Sequence, residues 1–156
     1  MNYWLMKSEP DEFSIDDLAA RPNQTEGWNG IRNYQARNFM RDAMQIGDRV
    51  FFYHSSCKVP AVVGIAEVAG ETYPDASAWD PESPYYDPKS TPESPRWLQR
   101  DIRFIKRFAK PVTLSAIKAH PGLADMLLVQ KGSRLSIQPV DEVHWQLIHQ
   151  MAGESL

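Results

Sequence analysis

Strand-forming segments sit back to back in this chain. Residues 49–53 and 59–68 are rich in Val, Ile and Phe and follow one another with no helix-forming stretch between them. Tyr3-Trp4-Leu5-Met6-Lys7 reads as a buried opening strand, residues 99–108 as a strand with Ile102, Phe104 and Phe108 inward, and residues 134–140 as another. Helical signals lie between and after them. Ser14 to Asp17 has capping-box spacing for a helix ending near Ala20. From Asn33, the residues Ala36, Phe39, Met40, Ala43 and Met44 recur on one helical face. Asp141 is placed to cap a last helix bearing Val143, Leu147, Ile148 and Met151. The order is strand, helix, helix, strands, loop, strand, helix, strand, helix. Regular crossover helices are missing, which excludes a doubly wound parallel sheet. Mixed α/β content on a strongly curved mixed sheet or small β-barrel with peripheral helices fits the order. Gly64, inside a strand, marks a bulge or a close backbone approach.

A chain of 156 residues with 42% hydrophobic content suits one domain, residues 1–156, with a core of its own. Cys57 is the only cysteine, so no internal disulfide forms. No run approaches the roughly 20 apolar residues of a membrane span, and residues 1–10 lack a signal-peptide pattern. A soluble, cytoplasmic protein with no membrane partner is expected.

The formal net charge of −3 argues against a broad nucleic-acid coat. Charge is uneven, however. Residues 75–93 carry five acids against one lysine, and residues 96–110 carry six bases against one acid, so a local basic strip is expected there. Residues 72–95 hold six prolines and read as a long loop, of the kind that is often functional. The aromatics Tyr73, Trp79, Tyr85 and Tyr86 are unusual for a plain linker.

Catalytic templates fail. The chain has no phosphate-binding glycine loop, nucleophile elbow or HExxH motif. His54, His120, His144 and His149 have no partners at metal-ligand spacing, and His144 and His149 read as exposed helix residues. Cys57 reads as a small buried hydrophobe rather than a nucleophile paired with His54. No metal, cofactor or catalysis is expected.

Three segments are dense in groups that bind ligands. In Lys7-Ser8-Glu9-Pro10, a buried strand ends in charged and hydroxyl groups. In Gly27-Trp28-Asn29-Gly30-Ile31-Arg32-Asn33, glycines frame a tryptophan that is either a core plug or a stacking platform. In Phe52-Tyr53-His54-Ser55, a hydrophobic strand ends in polar tips suited to a flat polar ligand.

These three segments resemble the signature of the EVE domain family, the central one as the run GWNGIRNYQARN from Gly27 to Asn38. The resemblance extends to Tyr86-Asp87-Pro88, Pro95-Arg96-Trp97 and the run RLSIQPV from Arg134 to Val140, and so spans nearly the whole chain. It implies a PUA-like fold similar to that of YTH domains, which hold a methylated adenine in an aromatic cage. By that likeness Lys7 and Ser8 reach the base from the first strand, Trp28 is a cage wall and Asn29 the polar residue after it. Trp79, Tyr85 and Trp97 are candidates for the remaining walls.

The expected function is a binding module for a modified cytosine or adenine in DNA or RNA, held in an aromatic pocket. Lys7, Ser8, Trp28, Asn29, Arg32, Asn33, Tyr53, His54 and Ser55 are the ligand-binding candidates, and Arg103 and Arg107 the phosphate candidates. An enzyme acting on nucleic acid or a nucleotide, and a protein binding a small anion or metabolite, are the alternatives.

Overall fold

The computed structural model describes residues 1–156. Six strands form one sheet in the order β2-β5-β4-β3-β1-β6. They are β1 (Tyr3–Ser8), β2 (Thr25–Gly27), β3 (Arg49–His54), β4 (Ala61–Pro74), β5 (Leu98–Thr113) and β6 (Ile137–Val140). Only the β1–β3 pairing is parallel; the others are antiparallel. Four α-helices surround the sheet: α1 (Ile15–Ala20), α2 (Tyr34–Asn38), α3 (Leu114–Ala119) and α4 (Glu142–Ala152). The sheet is mixed, as its sequence implies, and open rather than closed into a barrel. Its edges, β2 and β6, are short and do not pair with each other. No helix is long and apolar enough to cross a membrane.

Both faces of the sheet are covered, which explains the continuous apolar run of β3. Val50 and Phe52 point into one core, Phe51 and Tyr53 into the other. The first core holds Trp4, Met6 and Ile102 against Ile15 and Leu18 of α1 and Ala36 of α2. The second holds Leu5, Val62 and Phe108 against Ile117 of α3 and Trp145 and Ile148 of α4. Each large apolar side chain so buried contributes roughly 1.5–3 kcal/mol.

Local chemistry sets the element ends. Ser14 and Asp17 make both bonds of the capping box on α1. Asn33 caps α2 by accepting from the Ala36 N–H at 2.9 Å, and the helix then widens into a π-type turn over Phe39–Ala43. The carbonyls left at its end are met by Arg100, whose buried guanidinium donates to Met40 O and Met44 O, both at 2.9 Å.

Several expectations need correction. Residues 25–27, which carry no strand signal of their own, form edge strand β2 on β5. The strand expected to end at Val68 runs on to Pro74. Phe108 faces the second core while Ile102 and Phe104 face the first, because a register shift near Ile105 inverts the alternation of β5. His144 and His149 are buried, not exposed, and Val143 is 63% exposed. The phase of α4 is set by Trp145, whose ring stacks on Phe51 at 4.0 Å and on Tyr3 at 4.6 Å. The basic strip is dispersed as well. Arg100 is buried, Arg103 pairs with Glu67, Lys106 with Glu154 and Arg107 with Asp16.

Candidate functional site

The parallel strands β1 and β3 end side by side, and a cavity of about 860 Å³ opens beyond them. That is within the usual range for a ligand site. Ser8 and Glu9 leave β1 into it, and Ser55 and Ser56 leave β3. The Ser55 N–H donates to Ser8 O at 3.0 Å and so carries the parallel ladder to the rim. Residues from both edges of the sheet complete the walls. Glu26 and Gly27 come from β2, while Ser133, Arg134 and Ser136 come from the approach to β6. The curvature of the open sheet thus brings its two edges to one cavity.

Trp28 stands on the β2 side. Its N–H donates to Arg100 O at 3.0 Å, which prolongs the β2–β5 ladder and fixes the direction of the side chain. The indole meets Phe52 at 5.4 Å and Phe13 at 6.3 Å, both edge to face, and is 7% exposed. It is therefore part of the first core as well as a wall of the cavity. The alternatives of plug and platform do not exclude each other.

Tyr85 forms the neighbouring wall. Gly30, at φ +80°, lies under its ring, and a Cβ there would come within 2.8 Å of the ring carbon Cζ. Glycine is required on both counts. The Tyr85 hydroxyl donates to Glu12 Oε2 at 3.1 Å. Burial, and then that carboxylate, push the phenol pKa up. Behind this wall Arg32 donates from Nε and Nη2 to Tyr85 O, at 2.9 and 2.7 Å, and from Nη1 to Asp75 at 3.1 Å. Buried Asp75 also accepts from the Gly30 N–H at 2.8 Å and from Ser77. Burial raises the Asp75 pKa, but these donors outweigh it and hold the carboxyl below its usual range. Arg32 and Asp75 thus fix the Gly30 turn and the Tyr85 wall to each other.

The structure brings Lys7, Ser8, Trp28, Asn29, Ser55 and Tyr85 together around the cavity. The other candidates stand elsewhere. Arg32 is spent on the support just described. Asn33 caps α2. Tyr53 is buried in the second core, where desolvation pushes its phenol up to about 12. His54 Nε2 accepts from the Ile15 N–H at 3.1 Å, which ties β3 to the start of α1, and burial lowers the imidazole pKa. Trp97 is buried, stacks on Tyr34 at 4.8 Å and donates to Asp87 at 2.7 Å. Trp79 directs its Nε1–H to Ser90 Oγ at 3.4 Å. Arg103 and Arg107 lie on the exposed side of β5 in their ion pairs. Trp79 and Trp97 therefore brace the 75–97 loop, and the aromatic walls of the cavity are Trp28, Tyr85 and Phe13.

The acids Glu9, Glu12 and Glu26 and the groups Arg134, Ser133 and Ser136 were missed as site residues. Glu26 shares one side of the β2 strand direction with Trp28, two residues on, and is paired to Arg21. Arg134 arrives through the pairing of β1 with β6, which joins residues more than 120 apart in the chain. No local pattern signals such a pairing.

Comparison with known proteins agrees with this architecture. The EVE domain matches residues 2–151. Thymocyte nuclear protein 1 of Gallus gallus is 41% identical over 169 residues, covering 97% of this chain and 69% of that protein. The Homo sapiens protein of that name is 40% identical over 164 residues, covering 94% and 72%. A crystal structure from Pseudomonas putida superposes with a TM-score of 0.91 at 48% identity, over 96% of this chain and 99% of that one. The human THYN1 protein, crystallised in complex with 5-methylcytosine containing DNA, superposes with a TM-score of 0.93 at 36% identity over 100% of both chains. With the family matched over almost its full length, the chain belongs to the EVE domain family.

Proposed function

We propose that this protein binds nucleic acid carrying a modified base, reads that base in the cavity at the ends of β1 and β3, and leaves it chemically unchanged. The observation that carries the reading is the cavity itself. It places the indole of Trp28 and the phenol of Tyr85 beside Ser8, Asn29 and Ser55 in a space of about 860 Å³. Aromatic walls contribute about 1–3 kcal/mol per stacked base, and hydroxyl and amide groups match the polar edge of a pyrimidine. Modified cytosine in DNA is the leading ligand, because the human THYN1 protein that superposes over the whole chain was crystallised with 5-methylcytosine containing DNA.

A base reaches such a cavity only when it leaves its stack, which costs a few kcal/mol in a duplex and less in a single strand. The 5-methyl group then adds about 0.8 kcal/mol if fully buried, or roughly a fourfold preference over cytosine. The test is equilibrium binding of single-stranded oligonucleotides that differ only in one 5-methyl group, with mass spectrometry of the recovered DNA. The expected result is a preference of about fourfold or more and an unaltered base. Equal affinity for the two oligonucleotides would remove the base-reading function. Conversion of the base, lost in a cavity variant, would make the protein an enzyme instead.

A further inference from the structure

Nine of the cations in this protein are answered by carboxylates. At the cavity the pairing is uneven. Arg21 is held by Glu26, but neither Lys7 nor Arg134 belongs to any ion pair, and both line the cavity. Glu12 is engaged by Tyr85, and Glu9 is exposed and not within pairing distance of either cation.

Strand pairing brings the segments that carry the two cations to one side of the cavity. Met6 lies opposite Ile137 in the antiparallel β1–β6 ladder, and the Lys7 N–H donates to Ser136 O at 2.9 Å. Lys7 and Ser136 thus leave the ladder on the same side, and Arg134, two residues before Ser136 in chain order, lies along the same wall. Ser133 adds a second hydroxyl to that wall. The cavity is therefore electrically divided. One wall, from β1 and the approach to β6, offers an ammonium, a guanidinium and hydroxyls. The other, from β2, the Gly30 turn, the segment before α1 and the 75–97 loop, offers aromatic rings with the acids Glu12 and Glu26. Burial costs the half-buried Lys7 ammonium hydration that no carboxylate returns, and its pKa is lowered accordingly.

We propose that Lys7 and Arg134, with the hydroxyls of Ser133 and Ser136, form a phosphate subsite that takes the phosphodiester adjoining the base held against Trp28. The inference rests on the base-reading function and assigns the phosphate to this wall rather than to Arg103 and Arg107, whose guanidinium groups are already engaged by Glu67 and Asp16. A guanidinium fork and an ammonium are the two side-chain groups that suit a phosphate, and a cavity of this volume accommodates a nucleotide rather than a base alone.

The test is a double-mutant cycle in which one partner is the DNA. Single-stranded oligonucleotides with one 5-methylcytosine carry either normal linkages or a neutral methylphosphonate at the 5′ or the 3′ side of that residue. Wild-type protein is expected to lose about tenfold in affinity for one of the two methylphosphonates. Arg134→Gln, at an exposed position where folding is not at stake, should lose about as much on the normal strand and nothing further on the same methylphosphonate. Lys7→Gln should behave alike, and Arg103→Gln should match wild type. Losses that multiply in Arg134→Gln, or an Arg134→Gln affinity equal to wild type, overturn the subsite alone. An abasic site bound as tightly as 5-methylcytosine overturns the base-reading function and the subsite with it.

Discussion

The indole of Trp28 is shared between the first core and the cavity, and this changes what its removal does. A ring framed by Gly27 and Gly30 suggests an approachable platform whose loss spares the fold. The structure packs it between Phe13 and Phe52 at 7% exposure, so truncation leaves a void. Trp28→Ala is expected to cost about 3–5 kcal/mol in stability as well as ligand binding. Trp28→Phe keeps an aromatic group on Phe52 and separates the two effects. Its unfolding midpoint in denaturant should stay close to wild type while affinity for the 5-methylcytosine oligonucleotide falls about tenfold, within the 1–3 kcal/mol of one stacking contact. Unchanged affinity in the Phe variant would make Trp28 a core residue only. The glycine frame was legible in the sequence, since short-range spacing carries it. That Tyr85 is the group lying on Gly30 was not, because 55 residues of chain and the Arg32–Asp75 support intervene.

Gly64 shows how far the pattern of one element reaches. Its place within a strand of Val and Ile signalled a bulge or a close approach, and both occur. The ladders to β3 and β5 shift register beside it, and a Cβ there would collide with Ile15 Cδ1 and Lys106 O. The Lys106 carbonyl is backbone and cannot turn away. Gly64→Ala should therefore destabilise the protein by about 1–3 kcal/mol through overpacking, seen as a drop of several degrees in the melting temperature. A variant as stable as wild type would show that α1 does not press on the sheet at this point. Elements whose signals are local, such as the α1 capping box and the β3 strand, were readable from the chain. Short β2 and the phase of α4 were not. The first borrows its order from β5, and the second is set by the stacking of Trp145 on Phe51 and Tyr3 rather than by Val143, Leu147 and Met151.

Across the whole molecule, charge and burial decide how pH and salt act. His54 and His149 both have pKa values lowered by burial, and the Nδ1–H of His149 donates to Trp145 O at 2.8 Å. In the unfolded chain both return to about 6.5. The unfolded state therefore binds more protons as pH falls below about 6.5, and stability declines from there until the depressed folded pKa values are passed. The melting temperature should fall between pH 7 and pH 5, before the carboxylate of Asp75 begins to lose its own stabilisation below its usual range, and His149→Phe should flatten part of that fall. A melting temperature constant over this interval would mean the two imidazoles are as well solvated in the folded protein as in the unfolded chain.

Salt acts through the few cations free to meet phosphate. Net charge is −3 and four of the five bases of β5 are paired or buried, with Lys110 alone exposed and outside any ion pair, so a long phosphate footprint has little to rest on. The most direct measurement of the base-reading claim extends the oligonucleotide assay to duplex DNA and to a series of salt concentrations. The 5-methylcytosine strand should bind more tightly than its cytosine counterpart at every salt concentration. It should bind more tightly single-stranded than paired, and affinity for the duplex should fall with a log–log slope of only about −2 to −4. A slope steeper than about −6, with no preference for the methylated base, would describe a protein that grips the backbone and leaves its cavity unused.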